Sequence, residues 1–102
     1  MKRTKSMIYN PTTESRELFL YATNDSNLYF SAIVPTIESL RKKYKKGVYD
    51  HEKSVDAFYY IATRASEKYG IDYGYKFNVQ DRFSCAVEMV EYYEENIFSV
   101  DF

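Results

Sequence analysis

The segment NVQDRFSCAVEMVEYYEENIF, residues 78–98, carries the most regular apolar pattern of the chain. The apolar positions on this stripe are Phe83, Ala86, Val87, Val90, Tyr93 and Ile97. Spacings of mostly three and four residues place these side chains on one face of an α-helix. Asn78 precedes the stripe and is a favourable N-cap. The segment therefore predicts a helix that begins after Asn78 and ends near Asn96.

A second apolar stripe precedes this helix in the chain. Its members are Val55, Phe58, Ala62, Ala65 and Tyr69. Asp50 is a good N-cap for the corresponding helix, and Gly70 is predicted to end it, because glycine tolerates the left-handed conformation of a helix C-cap. Aromatic residues alternate with small or polar ones between Ile71 and Phe77, and this alternation predicts a brief extended piece.

The first helix of the chain is predicted over residues 14–23. Thr12 and Thr13 offer hydroxyl groups that can cap it, and Glu14 and Glu17 are favourable in its first turn. The polar cluster at residues 24–27 then predicts a break and a cap for the element that follows.

The next helix is predicted to run to about Lys45. Its apolar stripe is Tyr29, Ile33, Ile37, Leu40 and Tyr44. Pro35 lies inside this stripe, and a proline lacks the N–H group and clashes with the preceding helical turn. We therefore expect a kink or a break just before Pro35. Gly47 supplies the C-cap, and the lysines before it favour the negative end of the helix dipole.

These predictions describe an all-α domain in a chain of 102 residues. That length is typical of one domain with one core. We expect a compact bundle of four main helices over residues 12–98, with a flexible N-terminal lead-in at 1–11 and a C-terminal tail at 99–102. The short connections favour packing between helices that are neighbours in sequence.

The cellular setting is constrained by a single cysteine and by the lack of long apolar runs. Cys85 has no partner for an internal disulfide, which favours a reducing compartment. Residues 1–6 are basic, but the apolar run that follows, Met7–Tyr9, is too short for a signal peptide or an anchor. No stretch approaches the roughly 20 apolar residues of a membrane span. We expect a soluble cytoplasmic protein without a membrane partner.

Catalytic and cofactor chemistry finds little support in the sequence. His51 is the only histidine, which excludes metal sites and proton relays that need two imidazoles. A nucleophilic dyad of Cys85 with His51 is conceivable through folding, but Cys85 has no basic neighbours that would lower its pKa. Three glycines do not make a phosphate loop. We expect no enzyme and no cofactor.

Carboxylates cluster on the last predicted helix. Glu88, Glu91 and Glu95 project near one another, with Glu94 in the same turn. Such a group can hold a hard cation, but the histidine-containing and loop-borne ligand patterns of known sites are missing. A solvated acidic face is the simpler interpretation. Acids near a helix C-terminus oppose its dipole, and pairing with the basic end of the second helix would offset that cost.

In contrast to this acidic cluster, residues 41–46 form a basic run. Its candidate contact residues are Arg41, Lys42, Lys45 and Lys46. Lysines next to an aromatic ring are typical of nucleic-acid contacts. Complementarity to the dipole of their own helix explains them equally well.

Two tyrosines and an uneven charge distribution are further candidate interaction features of the sequence. Tyr60 and Tyr92 each follow or precede a tyrosine on an apolar stripe and are predicted to point outward, where exposed tyrosines are typical of protein interfaces. Residues 1–46 hold nine Lys or Arg against four acids, and residues 47–102 hold five against eleven. This asymmetry predicts either separate charged faces or two halves that attract each other.

Part of the chain resembles a group of small uncharacterised helical proteins encoded by phages, plasmids and other mobile elements. The likeness rests on Glu17-Leu18, Asn24-Asp25, Leu28-Tyr29, Pro35, Leu40, Lys42, Lys43, Gly47-Val48-Tyr49-Asp50, Lys53, Phe58 and Lys68-Tyr69. It covers about half of the chain. Since these positions are mostly caps, breaks and core residues, the resemblance implies a shared fold and a mobile-element origin, but it carries over no active-site residues.

The sequence thus favours a non-enzymatic protein-interaction module, an accessory factor that acts on a host or element protein. Its interface candidates are Arg41, Lys42, Lys45, Lys46, Tyr60, Glu88, Glu91, Tyr92 and Glu95. Two alternatives stay open: a small nucleic-acid-associated regulator that uses residues 41–46, and a homodimeric structural protein that pairs its basic half with the acidic half of a second copy.

Overall fold

The computed structural model describes residues 7–99. In chain order the elements are α1 (Thr13–Asn24), the short α2 (Ser26–Leu28), one stretch of π-helix, π1 (Tyr29–Ile33), α3 (Val34–Lys45), α4 (His51–Tyr73) and α5 (Val79–Phe98). Between residues 7 and 99 the chain forms no β-strand. The predicted all-α bundle of four main helices is confirmed, with α1, α3, α4 and α5 as its members.

Helix α5, the segment with the most regular pattern, lies at the centre of the bundle and packs against α1, α3 and α4. All of its predicted stripe is buried except Val87, which is half-buried. Cys85 and Met89 lie between stripe positions and are also buried. A helix that is covered by three neighbours buries more than one stripe, which explains these two additional residues.

The helix N-termini follow the predicted caps. Asn78 caps α5, and its side chain accepts a hydrogen bond from the Asp81 N–H at 2.7 Å. Thr12 caps α1 through the Ser15 N–H at 3.0 Å, and Asp50 caps α4 through the Lys53 N–H at 3.2 Å. Side-chain oxygens thus satisfy N–H groups that have no partner within their own helices.

The irregularity predicted near Pro35 takes the form of π1. The Val34 N–H donates to the Tyr29 carbonyl five residues back, so the helix is widened by one residue without being interrupted. Pro35 lies in the first turn of α3, directly after this widened turn. The chain therefore absorbs the proline inside a continuous helical path from Ser26 to Lys45.

The end of α3 at Gly47 is confirmed. Gly47 has a φ of +75°, and its N–H donates to the Tyr44 carbonyl at 3.0 Å. The Val48 N–H donates to the Lys43 carbonyl at 2.9 Å. These two bonds form the Schellman arrangement, which satisfies carbonyl groups of the last turn.

The predicted end of the third main helix at Gly70 is wrong. Helix α4 continues to Tyr73, and the C-cap is Gly74, with a φ of +65° and an N–H that donates to the Gly70 carbonyl at 2.7 Å. Gly70 lies inside α4 and allows the main chain at Tyr75 to approach the helix closely. A Cβ atom at this position would lie 2.7 Å from the Tyr75 carbonyl oxygen. The extended piece predicted for 71–77 is also absent: the residues up to Tyr73 are helical, and 74–77 form an irregular connection.

The residues before α1 run along α5. The Asn10 N–H donates to Ser84 Oγ at 3.2 Å, and Ser84 Oγ donates to the Asn10 carbonyl at 3.0 Å. Gln80 Nε2 donates to the Ile8 carbonyl at 2.9 Å. Residues 1–6 of the predicted lead-in and 100–102 of the predicted tail lie outside the described residues.

Candidate interaction surfaces

The α5 surface consists of Glu88, Glu91, Tyr92 and Glu95. Spacings of three, four and seven residues bring these side chains to one side of the helix. Tyr92 is 62% exposed, Glu91 and Glu95 are exposed, and Glu88 is half-buried. The structure therefore brings four of the predicted interface residues together on one helix.

Helix α1 supports the exposed ring of this surface. The Phe19 ring lies edge-on to the Tyr92 ring, with 5.4 Å between centroids and an interplanar angle of 87°. The next residue, Tyr93, is buried, and its ring centroid lies 4.9 Å from that of Tyr92. Aromatic pairs in this geometry are attractive, so Tyr92 is held in place although most of its surface is exposed.

The charges around Glu88 come from three segments of the chain. Burial raises the pKa of Glu88, nearby Arg16 on α1 lowers it, and Glu91 raises it again. Burial also raises the pKa of the Tyr9 hydroxyl, and the carboxylates of Glu88 and Glu91 add to this effect. Glu88 Oε2 is buried and accepts no hydrogen bond within residues 7–99. Among residues 7–99, Arg16 and Glu91 therefore act on Glu88 in opposite directions.

Tyr60 lies on a different helix from Tyr92. It lies on α4 and is 60% exposed, with Asp56 and Arg64 one turn away on either side. The adjacent Tyr59 is buried, and the Arg82 guanidinium lies 5.8 Å from its ring centroid. The two predicted outward tyrosines, Tyr60 and Tyr92, are thus equally exposed on separate helices.

The basic run forms the end of α3. Lys42, Lys45 and Lys46 are exposed and Arg41 is half-buried. Arg41, Lys42 and Lys45 line an open depression of about 260 Å³ together with Glu38.

This end of α3 meets the end of α5 through aromatic rings. The Tyr44 ring lies 4.7 Å from the Phe98 ring, and the Tyr49 ring lies 5.1 Å from it. The basic run and the last turn of α5 are consequently at the same end of the bundle, which is the placement that electrostatic compensation of the acidic helix end requires.

The structure separates the two residues of the conceivable dyad. His51 is exposed at the first residue of α4, two residues after Tyr49, whose ring packs on Phe98. Cys85 is fully buried and lies about 20 Å before Phe98 along α5 at 1.5 Å per residue. Burial strongly raises the pKa of the Cys85 thiol. The dyad does not form, and within the part of the chain from Met7 to Ser99 no three metal-binding side chains converge.

One surface was missed by the sequence reasoning. The tyrosine groove is an open groove of about 580 Å³ between α1 and α4. Its lining residues are Glu17, Leu20, Tyr21, Asn24, Asp25, Tyr69 and Tyr73. Tyr69 and Tyr73 are four residues apart, a spacing that would have indicated one helical face. Because the helix was predicted to end at Gly70, Tyr73 fell in the predicted extended piece, and the two tyrosines were not predicted to share a helix.

Comparison of the chain with protein-family models, with curated protein sequences and with solved structures finds no match. Across the described residues, none of the helices is both long enough and apolar enough to pass through a bilayer.

Proposed function

We propose that this is a cytoplasmic, non-enzymatic protein-interaction module whose principal contact surface is the α5 surface. The observation that carries the proposal is the Tyr92 ring, which is 62% exposed and yet held edge-on by Phe19. Binding immobilises side chains at an entropic cost, and a ring that is already fixed avoids much of it. Tyrosine is also among the residues that contribute most to protein interfaces.

The carboxylates around Tyr92 indicate the charge of the partner. Glu88, Glu91 and Glu95 surround the ring, and Arg16 is the cation that acts on Glu88. An acidic surface with a central aromatic ring is complementary to a partner surface with Lys or Arg around an apolar patch. The resemblance to mobile-element proteins supports an accessory role, in which the partner is a host or element protein. The free, buried Cys85 is compatible with a reducing compartment.

A photo-crosslinking residue in place of Tyr92 tests this proposal in cells that produce the protein. The matched control carries the same residue in place of Tyr60, which is equally exposed at 60%. We expect one defined protein adduct from position 92 and none from position 60. Unlabelled wild-type protein should compete for the adduct, and the charge-reversed variant Glu91→Lys should not. Identical adducts from both positions, or none from position 92, would exclude the α5 surface as the interface.

The second candidate function is nucleic-acid association through the basic run. It is supported by Lys42, Lys45 and Lys46, which are exposed at the end of α3, and by the depression that Arg41 and Lys42 line. Electrostatic binding to phosphates weakens steeply with salt. This candidate is tested by titrating the protein with mixed DNA and RNA at low ionic strength. The titration is repeated with the variants Lys42→Glu and Lys45→Glu. This candidate is ruled out if wild-type protein does not bind, or binds with no salt dependence.

A further inference from the structure

Three packed rings form part of the walls of the tyrosine groove. The Tyr21 ring lies 4.9 Å from the Tyr69 ring at 75° and 6.2 Å from the Tyr73 ring at 87°, and the rings of Tyr69 and Tyr73 are 4.7 Å apart. Each ring is therefore supported by the other two. Tyr73 is nevertheless 67% exposed, and Leu20 beside it is 56% exposed. The groove presents aromatic and aliphatic surface that the fold holds in place.

Two carboxylates, those of Glu17 and Asp25, line this groove, and a third, that of Asp72, lies beside it. Tyr21 Oη donates to Asp72 Oδ2 at 2.6 Å, and this bond raises the pKa of the tyrosine. Glu17 lies on the rim and acts on Tyr69, whose pKa is raised first by burial and then by this carboxylate.

Asp25 is paired with Lys68 Nζ at 2.6 Å. Lys68 thus neutralises one of the three acids. Glu17 remains as an acid that lines the groove together with Tyr73, and Asp72 accepts the Tyr21 hydroxyl beside it.

The groove is distinct from the α5 surface. Tyr21 follows Phe19 by two residues on α1, and two residues correspond to about 200° of helical rotation. Phe19 supports Tyr92 on one flank of α1, and Tyr21 faces α4 on the opposite flank. A ligand in the groove therefore does not cover the ring of Tyr92.

We propose that the tyrosine groove binds an arginine side chain, flanked by apolar residues, on an extended or helical segment of a protein partner. A guanidinium group stacks on an aromatic face through its planar, weakly hydrated cation, and it also binds a carboxylate through two parallel hydrogen bonds. Tyr73 supplies the exposed face and Glu17 supplies the carboxylate, while Asp72, which holds Tyr21 from beside the groove, adds negative charge. Leu20 contacts the apolar neighbour of the arginine. Lysine has neither the planar surface nor the paired donors, so the groove favours arginine.

The experiment uses the full chain and a fluorescein-labelled peptide, Gly-Leu-Arg-Leu-Arg-Leu-Gly, followed by fluorescence anisotropy. Two matched peptides replace each Arg by Lys or by citrulline, which has nearly the same shape and no charge. We expect the arginine peptide to bind about fivefold more tightly than the lysine peptide. The citrulline peptide should not show measurable binding, because its neutral side chain is not attracted by Glu17 and Asp72.

Variants locate the binding to the groove. Tyr73→Ala and Glu17→Gln alter exposed side chains and should each weaken the arginine peptide about fivefold. Tyr60→Ala removes an equally exposed tyrosine elsewhere and should leave binding unchanged. Circular dichroism of each variant verifies that the helices are retained.

Three results would overturn the proposal. Equal binding of the arginine and citrulline peptides would indicate a purely apolar contact. Equal losses in Tyr60→Ala and Tyr73→Ala would indicate nonspecific binding. Sedimentation that reveals self-association which Tyr73→Ala abolishes would assign the groove to a second copy of the chain. Tyr92→Ala should leave the arginine peptide unaffected, so the outcome here is independent of the outcome for the α5 surface.

Discussion

The Thr12 hydroxyl joins the N-termini of α1 and α5, because it donates to Asp81 Oδ1 at 2.9 Å while its oxygen accepts the Ser15 N–H at 3.0 Å. The other carboxylate oxygen of Asp81 accepts the Asn78 N–H at 3.2 Å. Asp81 is only 5% exposed. One buried carboxylate thus belongs to the capping box of α5 and also accepts a hydrogen bond from the N-cap residue of α1, which ties α1, with Phe19 and Tyr21, to α5.

This relationship predicts that Thr12→Val destabilises the fold by about 2 kcal/mol, because it removes an N-cap and leaves a buried acceptor of Asp81 without its donor. Thr13→Val is the control, since Thr13 is exposed and should change the free energy of unfolding by less than about 0.5 kcal/mol. Urea unfolding followed by circular dichroism measures both. Equal losses in the two variants would contradict a special role for Thr12.

The close approach of Gly70 to Tyr75 predicts an unusual effect of alanine. In a helix interior Gly→Ala normally stabilises by about 1 kcal/mol. At Gly70 the new Cβ atom would lie 2.7 Å from the Tyr75 carbonyl oxygen, so we expect Gly70→Ala to destabilise by about 1–3 kcal/mol. Gly74→Ala has open space but a φ of +65°, and it should cost about 1 kcal/mol. A stabilised Gly70→Ala variant would contradict the packing of residues 74–77 on α4.

The ion pair of Asp25 with Lys68 predicts a pH-dependent contribution to stability. Hydrogen bonding to Lys68 and to the Leu28 N–H lowers the pKa of Asp25 below its usual value of 3.8. Between the lowered pKa and pH 3.8, the unfolded chain therefore binds more protons than the folded chain. The contribution is complete above that pH and is lost as the pH falls through the lowered pKa.

Asp25→Asn isolates this ion pair, because asparagine still caps α2. We expect it to cost about 0.5–1 kcal/mol near neutral pH, and Asp25→Ala to cost about 1 kcal/mol more. Thermal unfolding at neutral pH and at about pH 2.5 measures the difference, which should shrink at the lower pH. A constant difference between wild type and Asp25→Asn would argue against the ion pair.

The raised pKa of Glu88 predicts a contribution to stability whose pH dependence is opposite in sign to that of Asp25. Burial raises its pKa above the usual value of 4.5, although Arg16 acts against this. Between 4.5 and the raised pKa the folded state binds more protons than the unfolded state, so this group makes stability fall as the pH rises. Glu88→Gln should remove that component and be more stable than wild type at neutral pH. The exposed Glu91→Gln is the charge-matched control, and identical pH profiles for the two variants would contradict this prediction.

The burial of Cys85 predicts that its thiol reacts only when the protein unfolds. Its side chain is fully buried in α5, and burial raises its pKa well above the usual range. Reaction with Ellman's reagent requires a thiolate at an accessible sulfur. We expect negligible reaction of native protein and rapid reaction in denaturant, with Cys85→Ser as the blank. Native reactivity close to that of the denatured chain would show that this part of α5 opens readily.

Local features of the sequence determined most of the helices. The caps at Asn78, Asp50 and Gly47 each act on backbone groups within four residues, so their effect is fixed by neighbours in the chain. The stripe of α5 is likewise a local periodicity. Pro35 indicated where the helix would be irregular, because proline lacks the N–H that a helix uses locally. Its sequence position did not show that the irregularity would be a π turn and not a break, since that depends on the packing of the whole chain.

Tertiary structure decided where α4 ends and which rings meet. Gly70 and Gly74 are equally able to end a helix, and only the approach of the Tyr75 carbonyl distinguishes them. The groove brings Tyr21 to Tyr69 across 48 positions of sequence, just as the α5 surface brings Phe19 to Tyr92. Helical periodicity specifies which side chains share a face, but the pairing of faces depends on how α1 fits between α4 and α5. That fit is a property of the packed core, and no short window of sequence contains it.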